Sequence, residues 1–192
     1  MGAAVLTASA YDVHLEQLQK SIKRLHEILT QAGISYRIVG GMAVFMHVAE
    51  RDPLNARLTR DVDAAVARED LPRLIQAARE AGLEYRHAAG VDMLLDANSG
   101  GPARSAVHLI FIGEKVRATD YEPVPGSSPS RTGEGILIAS VADLVRMKLT
   151  SFRLKDRVHI QDLDAVGLIT PEIETSLSAE LRARLVEVRA SD

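Results

Sequence analysis

In the segment Arg57–Val66, RLTRDVDAAV, two aspartates, Asp61 and Asp63, flank a single valine inside a run that otherwise alternates like a half-buried strand. Side chains at i and i+2 of a strand share a face with α-carbons about 6–7 Å apart, so the two carboxylates would project together while Val62 points the other way. Ionised carboxylates so placed repel, and burying them costs several kcal/mol unless a cation lies between them. A hard divalent ion, Mg²⁺ or Mn²⁺, meets that need through one or two carboxylates and fills its other positions with water and substrate phosphate. The pair therefore points to a nucleoside triphosphate as cosubstrate. The plain alternative is an Asp-X-Asp on a solvated strand face.

Two further features bear on a phosphate. The strand-like ISYRIV (residues 34–39) runs into Gly40-Gly41 and then the apolar MAVFMHVAE. A strand that ends in two glycines and opens a helix lets backbone amides approach a phosphate closely, and the helix N-terminus adds favourable electrostatics; a simple turn is the other reading. No GK[ST] and no GxGxxG follow, so the P-loop and Rossmann readings lose their main support. Lys148 lies four residues after Leu144 and seven after Val141, on the apolar stripe of its helix. A lysine there needs an acidic partner such as triphosphate, or must snorkel to solvent. Arg146, Arg153, Lys155 and Arg157 form a basic cluster suited to steering nucleotide or an RNA acceptor, or else an ordinary solvated helix face.

The elements that would carry these groups follow from periodicity. Leu15, Leu18, Ile22, Leu25 and Leu29 recur at steps of three and four, which predicts a helix over residues 11–32 with Gly33 at its end. After the Asp-Pro turn of residues 51–58 come a strand over 59–67 and a helix over 69–81. LEYRHA, VDMLLDA and AVHLIFIG are strand candidates; the last two are separated by the turn-rich NSGGPARS and suit an antiparallel pair. The Pro/Gly/Ser-rich residues 122–135 read as a surface loop, followed by helices over 140–154 and 171–189. Ser140 with Asp143 forms a capping-box-like start to the first of these.

The 192 residues, 46% hydrophobic and 26% charged, suit a single compact domain over residues 1–192. Lys and Arg total 23 against 26 for Asp and Glu, a formal charge of −3, which excludes a global basic field for long nucleic acids. The absence of cysteine excludes disulfides and thiolate metal sites. No segment approaches the roughly 18 apolar residues of a membrane span, and the N-terminus lacks a basic leader region, so a cytoplasmic protein with no membrane partner is expected.

IVGGMAVFMHV followed by RLTRDVDAAV resembles the nucleotidyltransferase superfamily typified by DNA polymerase beta, and more narrowly the bacterial AbiEii-like nucleotidyltransferases of abortive-infection and toxin–antitoxin systems. LVRMKLTSFRLKDRVHIQDL (residues 144–163) is similar to the lysine helix and "KD…DL" segment of the same proteins, so the resemblance spans most of residues 34–165. It implies an α+β fold: a mixed, mostly antiparallel sheet flanked by helices, with a core over about residues 12–165 and a helical C-terminal segment. It implies that Gly40 and Gly41 contact phosphate, that Asp61 and Asp63 are catalytic metal ligands, and that Arg57, Thr59 and Lys148 help bind the nucleotide. The implied reaction transfers a nucleoside monophosphate from an NTP to a hydroxyl of RNA such as tRNA, of a protein, or of a small molecule. The superfamily's third carboxylate falls at His108. That residue is then a general base, part of an inactive site, or a histidine unrelated to the chemistry; Asp92 and Asp96 are alternative sources of the carboxylate. The other functional reading is a nucleotide- or partner-binding module without turnover, paired with an antitoxin-like partner.

Overall fold

The computed structural model describes residues 8–96 and 106–191, so the turn expected between VDMLLDA and AVHLIFIG lies outside the described residues. Its elements run α1 (Ala8–Gln31), β1 (Tyr36–Val39), α2 (Gly40–Arg51), β2 (Val62–Val66), α3 (Leu71–Glu80), β3 (Leu83–Ala88), β4 (Val91–Asp96), β5 (Val107–Phe111), β6 (Ser130–Arg131), β7 (Leu137–Ile138), α4 (Val141–Ser151), α5 (Leu154–Ala165), α6 (Pro171–Ser176) and α7 (Ala179–Arg189). The fold is α+β. Its seven-stranded sheet has the order β3-β4-β5-β2-β1-β7-β6 and is mostly antiparallel; β2 with β5 and β1 with β7 are the parallel pairs. β4 and β5 pair antiparallel, as their sequences suggest.

The centre of this sheet is covered on both faces. β1 is buried throughout, and Ala64, Ala65 and Val66 of β2 have no exposed surface, which is why these strands read as apolar runs rather than strict alternations. α1 and α3 lie on one face: the α1 stripe Leu18, Ile22, Leu25 and Leu29 is buried, and Arg24 reaches Asp96 of β4 at 2.7 Å. Gly33, at φ +63°, lets the chain turn back so that the Ile34 N–H bonds the Leu29 carbonyl at 2.8 Å. The opposite face carries Arg37, Val39 and Asp63, which alternate with the residues under α1. There α2, α4 and α5 pack on one another, with α7 behind α4 and α5.

Several boundaries differ from the periodicity reading. The β2 strand begins at Val62 rather than Thr59, leaving Asp61 just ahead of it. The expected helix over 140–154 stops at Ser151, because Phe152 adopts a left-handed conformation at φ +50° and a new helix, α5, starts at Leu154. Arg157 and Arg184 stack on the Phe152 ring at 4.1 and 4.7 Å, packing the side chain of this non-glycine residue at the bend. The helix expected over 171–189 is broken at Leu177–Ser178 into α6 and α7, where Leu177 turns into the core. The loop expected over 122–135 contributes one short edge strand, β6, which pairs with β7.

Candidate active site

β2 lies between β1 and β5 and sets the register of the site: Asp63 stands opposite Val39 on one side and His108 on the other. Gly40 follows Val39 directly, so the turn into α2 closes over the Asp63 carboxylate. At φ +68° a β-carbon on Gly40 would fall 2.0 Å from Asp63 Oδ2, so any other residue there would displace the carboxylate. Gly41 is equally confined, since its β-carbon would lie 2.8 Å from Thr59 Oγ1 and 3.3 Å from His159 Cε1. No side chain caps α2, whose first residues are these two glycines. Gly40, Gly41, Thr59, Asp63 and His108 are thus brought to one point.

His108 Nδ1 lies 3.2 Å from Asp63 Oδ1, with the two side chains 32% and 33% exposed. The hydrogen bond to Asp63 raises the imidazole pKa above its ordinary value; burial opposes this, the charges of Asp63 and Asp61 reinforce it, and Lys155 weakens it. Asp61 is exposed and stands just ahead of the strand, so the pair is not buried as a unit, although the charges of both carboxylates act on His108. Asp92 and Asp96 do not share the site. Asp92 is opposite Leu109, on the face away from Asp63 and His108, where its carboxylate accepts hydrogen bonds from Tyr85 at 2.5 Å and meets His87 at 2.8 Å.

Lys148 is buried on α4, but its acidic partner is a protein carboxylate rather than open solvent: Nζ lies 3.1 Å from Asp156 Oδ1. Asp156 has no exposed surface and also accepts from the Ser151 hydroxyl at 2.5 Å, from Arg153 Nε at 2.8 Å and from the Arg153 backbone N–H at 3.2 Å. Burial pushes this carboxyl up, yet these donors and the Lys148 charge outweigh it and hold the group at about 2. Burial lowers the Lys148 pKa, while Asp156 and, more weakly, Asp63 favour its charged form. One helical turn beyond Asp156 on α5 is His159, whose pKa falls to about 4, first through burial and then through the Lys148 charge. Neither Asp156 nor His159 carries a role in the sequence pattern; their i, i+3 spacing among apolar positions is the one signal that places them together.

Arg57 turns toward α5, where Nε bonds buried Asp162 at 2.9 Å across a groove of about 410 Å³. Of the basic cluster, Arg146 bonds the Ser176 carbonyl, Arg153 bonds Asp156 and Arg157 pairs with Glu187, leaving Lys155 without an ion pair among the described residues. No group of three or more His, Cys, Asp or Glu among the described residues is arranged to hold a metal. The donor set of Asp61 and Asp63 nevertheless fits a hard cation completed by phosphate and water, since bare Gly40 leaves Asp63 Oδ2 uncovered by a side chain.

No family model matches the chain, and no curated protein matches its sequence. Among solved structures it is similar to a nucleotidyltransferase-like antigenic protein from Paracoccidioides brasiliensis, with 18% identity, 92% of this chain and 88% of that chain covered, and a TM-score of 0.58. More distant are ANT(2″)-Ia in complex with adenylyl-2″-tobramycin, at 15% identity over 88% of this chain and 95% of that one with a TM-score of 0.45, and the Megavirus polyadenylate synthase, at 8% identity over 92% of this chain and 34% of that one with a TM-score of 0.40. The first likeness defines the class: the chain has the nucleotidyltransferase fold. No helix among the described residues is long and apolar enough to cross a membrane.

Proposed function

We propose that the protein is a metal-dependent nucleotidyltransferase of the AbiEii-like kind, moving a nucleoside monophosphate from an NTP to an acceptor hydroxyl. The observation that carries this reading is the closure of the Gly40-Gly41 turn over Asp63, which sets uncapped helix amides beside a carboxylate. Gly40 and Gly41 lie against the phosphates, Thr59 and Arg57 border the nucleotide, and Lys148 supplies positive charge from behind. Asp61 and Asp63 would hold Mg²⁺ or Mn²⁺, which would supply neutralisation of phosphate charge. The acceptor oxygen bonds to the α-phosphorus as the bond to the β-phosphate oxygen breaks and pyrophosphate departs. His108, oriented by Asp63, accepts the acceptor's proton.

The acceptor is an RNA end such as tRNA, a protein hydroxyl, or a small polyhydroxyl molecule. Incubation with each labelled NTP and Mg²⁺ or Mn²⁺ over acceptors of these three classes tests the reading, with Asp63→Asn as the control expected to lose transfer. A second reading is favoured by the bond between His108 and Asp63 Oδ1, which occupies one carboxylate oxygen: a nucleotide-binding module, with an antitoxin-like partner, that does not turn over. Nucleotide-dependent thermal stabilisation with no label transferred to any acceptor would select it.

A further inference from the structure

His159 differs from the other five histidines in that neither ring nitrogen has a hydrogen-bond partner among the described residues, and its Nδ1 is fully buried. Buried polar atoms are nearly always paired, and leaving one unpaired costs about 1–3 kcal/mol, so an apolar ring would fill this place more stably. The ring sits at the glycine turn: Cε1 lies 3.3 Å from where a Gly41 β-carbon would stand, beside Thr59. Cε1 is bonded to both nitrogens. Nδ1 is enclosed, whereas Nε2, which also lacks a partner, is not among the fully buried atoms and is the nitrogen open to a ligand. Burial and the Lys148 charge keep the ring neutral, so it presents one N–H without adding a cation beside Lys148.

We propose that His159 is a phosphate-binding residue, its Nε2–H donating to a non-bridging oxygen of the triphosphate lodged on the Gly40-Gly41 turn. This rests on the nucleotide reading of the site and adds to it a donor from α5, opposite the sheet. The nitrogen left unpaired in the free protein is the cost of holding that donor ready.

Binding of a non-hydrolysable NTP and of inorganic tripolyphosphate, each with Mg²⁺, is measured by calorimetry for the full chain and for His159→Phe, His159→Gln and Asp63→Asn. His159→Phe should weaken both ligands about tenfold to a hundredfold, the loss of one hydrogen bond to a charged group. His159→Gln places an amide N–H near Nε2 and should recover most of that loss, which a merely space-filling role would not require. In the unaltered protein, the ¹⁵N resonance of Nε2 should shift when tripolyphosphate is added. Tight binding by His159→Phe alongside loss in Asp63→Asn would overturn the role of His159 and leave the nucleotide reading standing. No binding of either ligand by the unaltered protein would overturn both.

Discussion

At the level of single residues, Gly40 and Gly33 separate two demands that are usually mixed. Both have positive φ, +68° and +63°, but a β-carbon at Gly33 meets nothing within 4 Å, whereas at Gly40 it meets Asp63 Oδ2. Gly33→Ala should therefore cost only the backbone term, about 1 kcal/mol, with nucleotide binding unchanged. Gly40→Ala carries the same term, and it also forces the Asp63 carboxylate to rotate away and give up His108. Because the obstructing atom ends a short side chain, the stability loss should stay near 1–2 kcal/mol while nucleotide binding disappears. Denaturation and titration of the two variants side by side check this. Retained binding in Gly40→Ala would mean that the carboxylate under the turn is dispensable.

At the level of elements, α4 and α5 form one unit through Lys148 and Asp156. Asp156→Asn leaves a buried lysine without its counter-charge and should cost about 3–5 kcal/mol; the double change Lys148→Met with Asp156→Leu should recover much of it, measured by urea unfolding. His159 gives α5 a pH signature. Its folded pKa, about 4, lies below the ordinary 6.5, so between these values the unfolded chain binds a proton that the folded chain does not. The penalty is absent above pH 6.5 and grows as pH falls toward 4, reaching about 2–3 kcal/mol. His159→Phe should therefore gain stability over the unaltered protein as pH drops from 7 to 4.5. A difference between the two that does not vary with pH would show that the ring is not held neutral.

These two helices also mark where the sequence stops being legible. The α1 stripe, Gly33 and the strands could be read, because local periodicity and turn chemistry decide them, whereas the approach of Gly40-Gly41 to Asp63 depends on how β1 pairs with β2 and was implied only by the family resemblance. The end of α4 could not be read, since the left-handed Phe152 carries no local signal and its ring packs against Arg157 and Arg184, the latter far along the chain. Lys148 could be recognised as needing an acid, but which acid depends on how α5 doubles back. Asp61 reads as a strand residue by alternation and lies outside the strand, where burial no longer constrains it.

At the scale of the whole molecule, the site is assembled from both layers: Asp63 and His108 come from the sheet, Gly41 from the turn that leaves it, and Lys148 and His159 from helices held by α7. A ligand seated there touches elements that must separate on unfolding, so it binds the folded chain and not the unfolded one. The stabilisation then follows mass action, about 2.7 kcal/mol at a hundred times the Kd. For a chain of this size each kcal/mol moves the Tm by roughly 2–4 °C, which gives a rise of about 5–10 °C with Mg²⁺ and NTP together. Neither Asp61→Asn nor Asp63→Asn should show the rise; in metal-free buffer Asp61→Asn should melt close to the unaltered protein, because that carboxylate is exposed, and Asp63→Asn somewhat lower, because its bond to His108 is weakened. Calorimetric scans with Mg²⁺ alone, NTP alone and both resolve the terms. A single cooperative transition that moves only with both ligands, and only while both aspartates are intact, is the result a composite site requires. A transition indifferent to them would remove the ligand from the interface between sheet and helices.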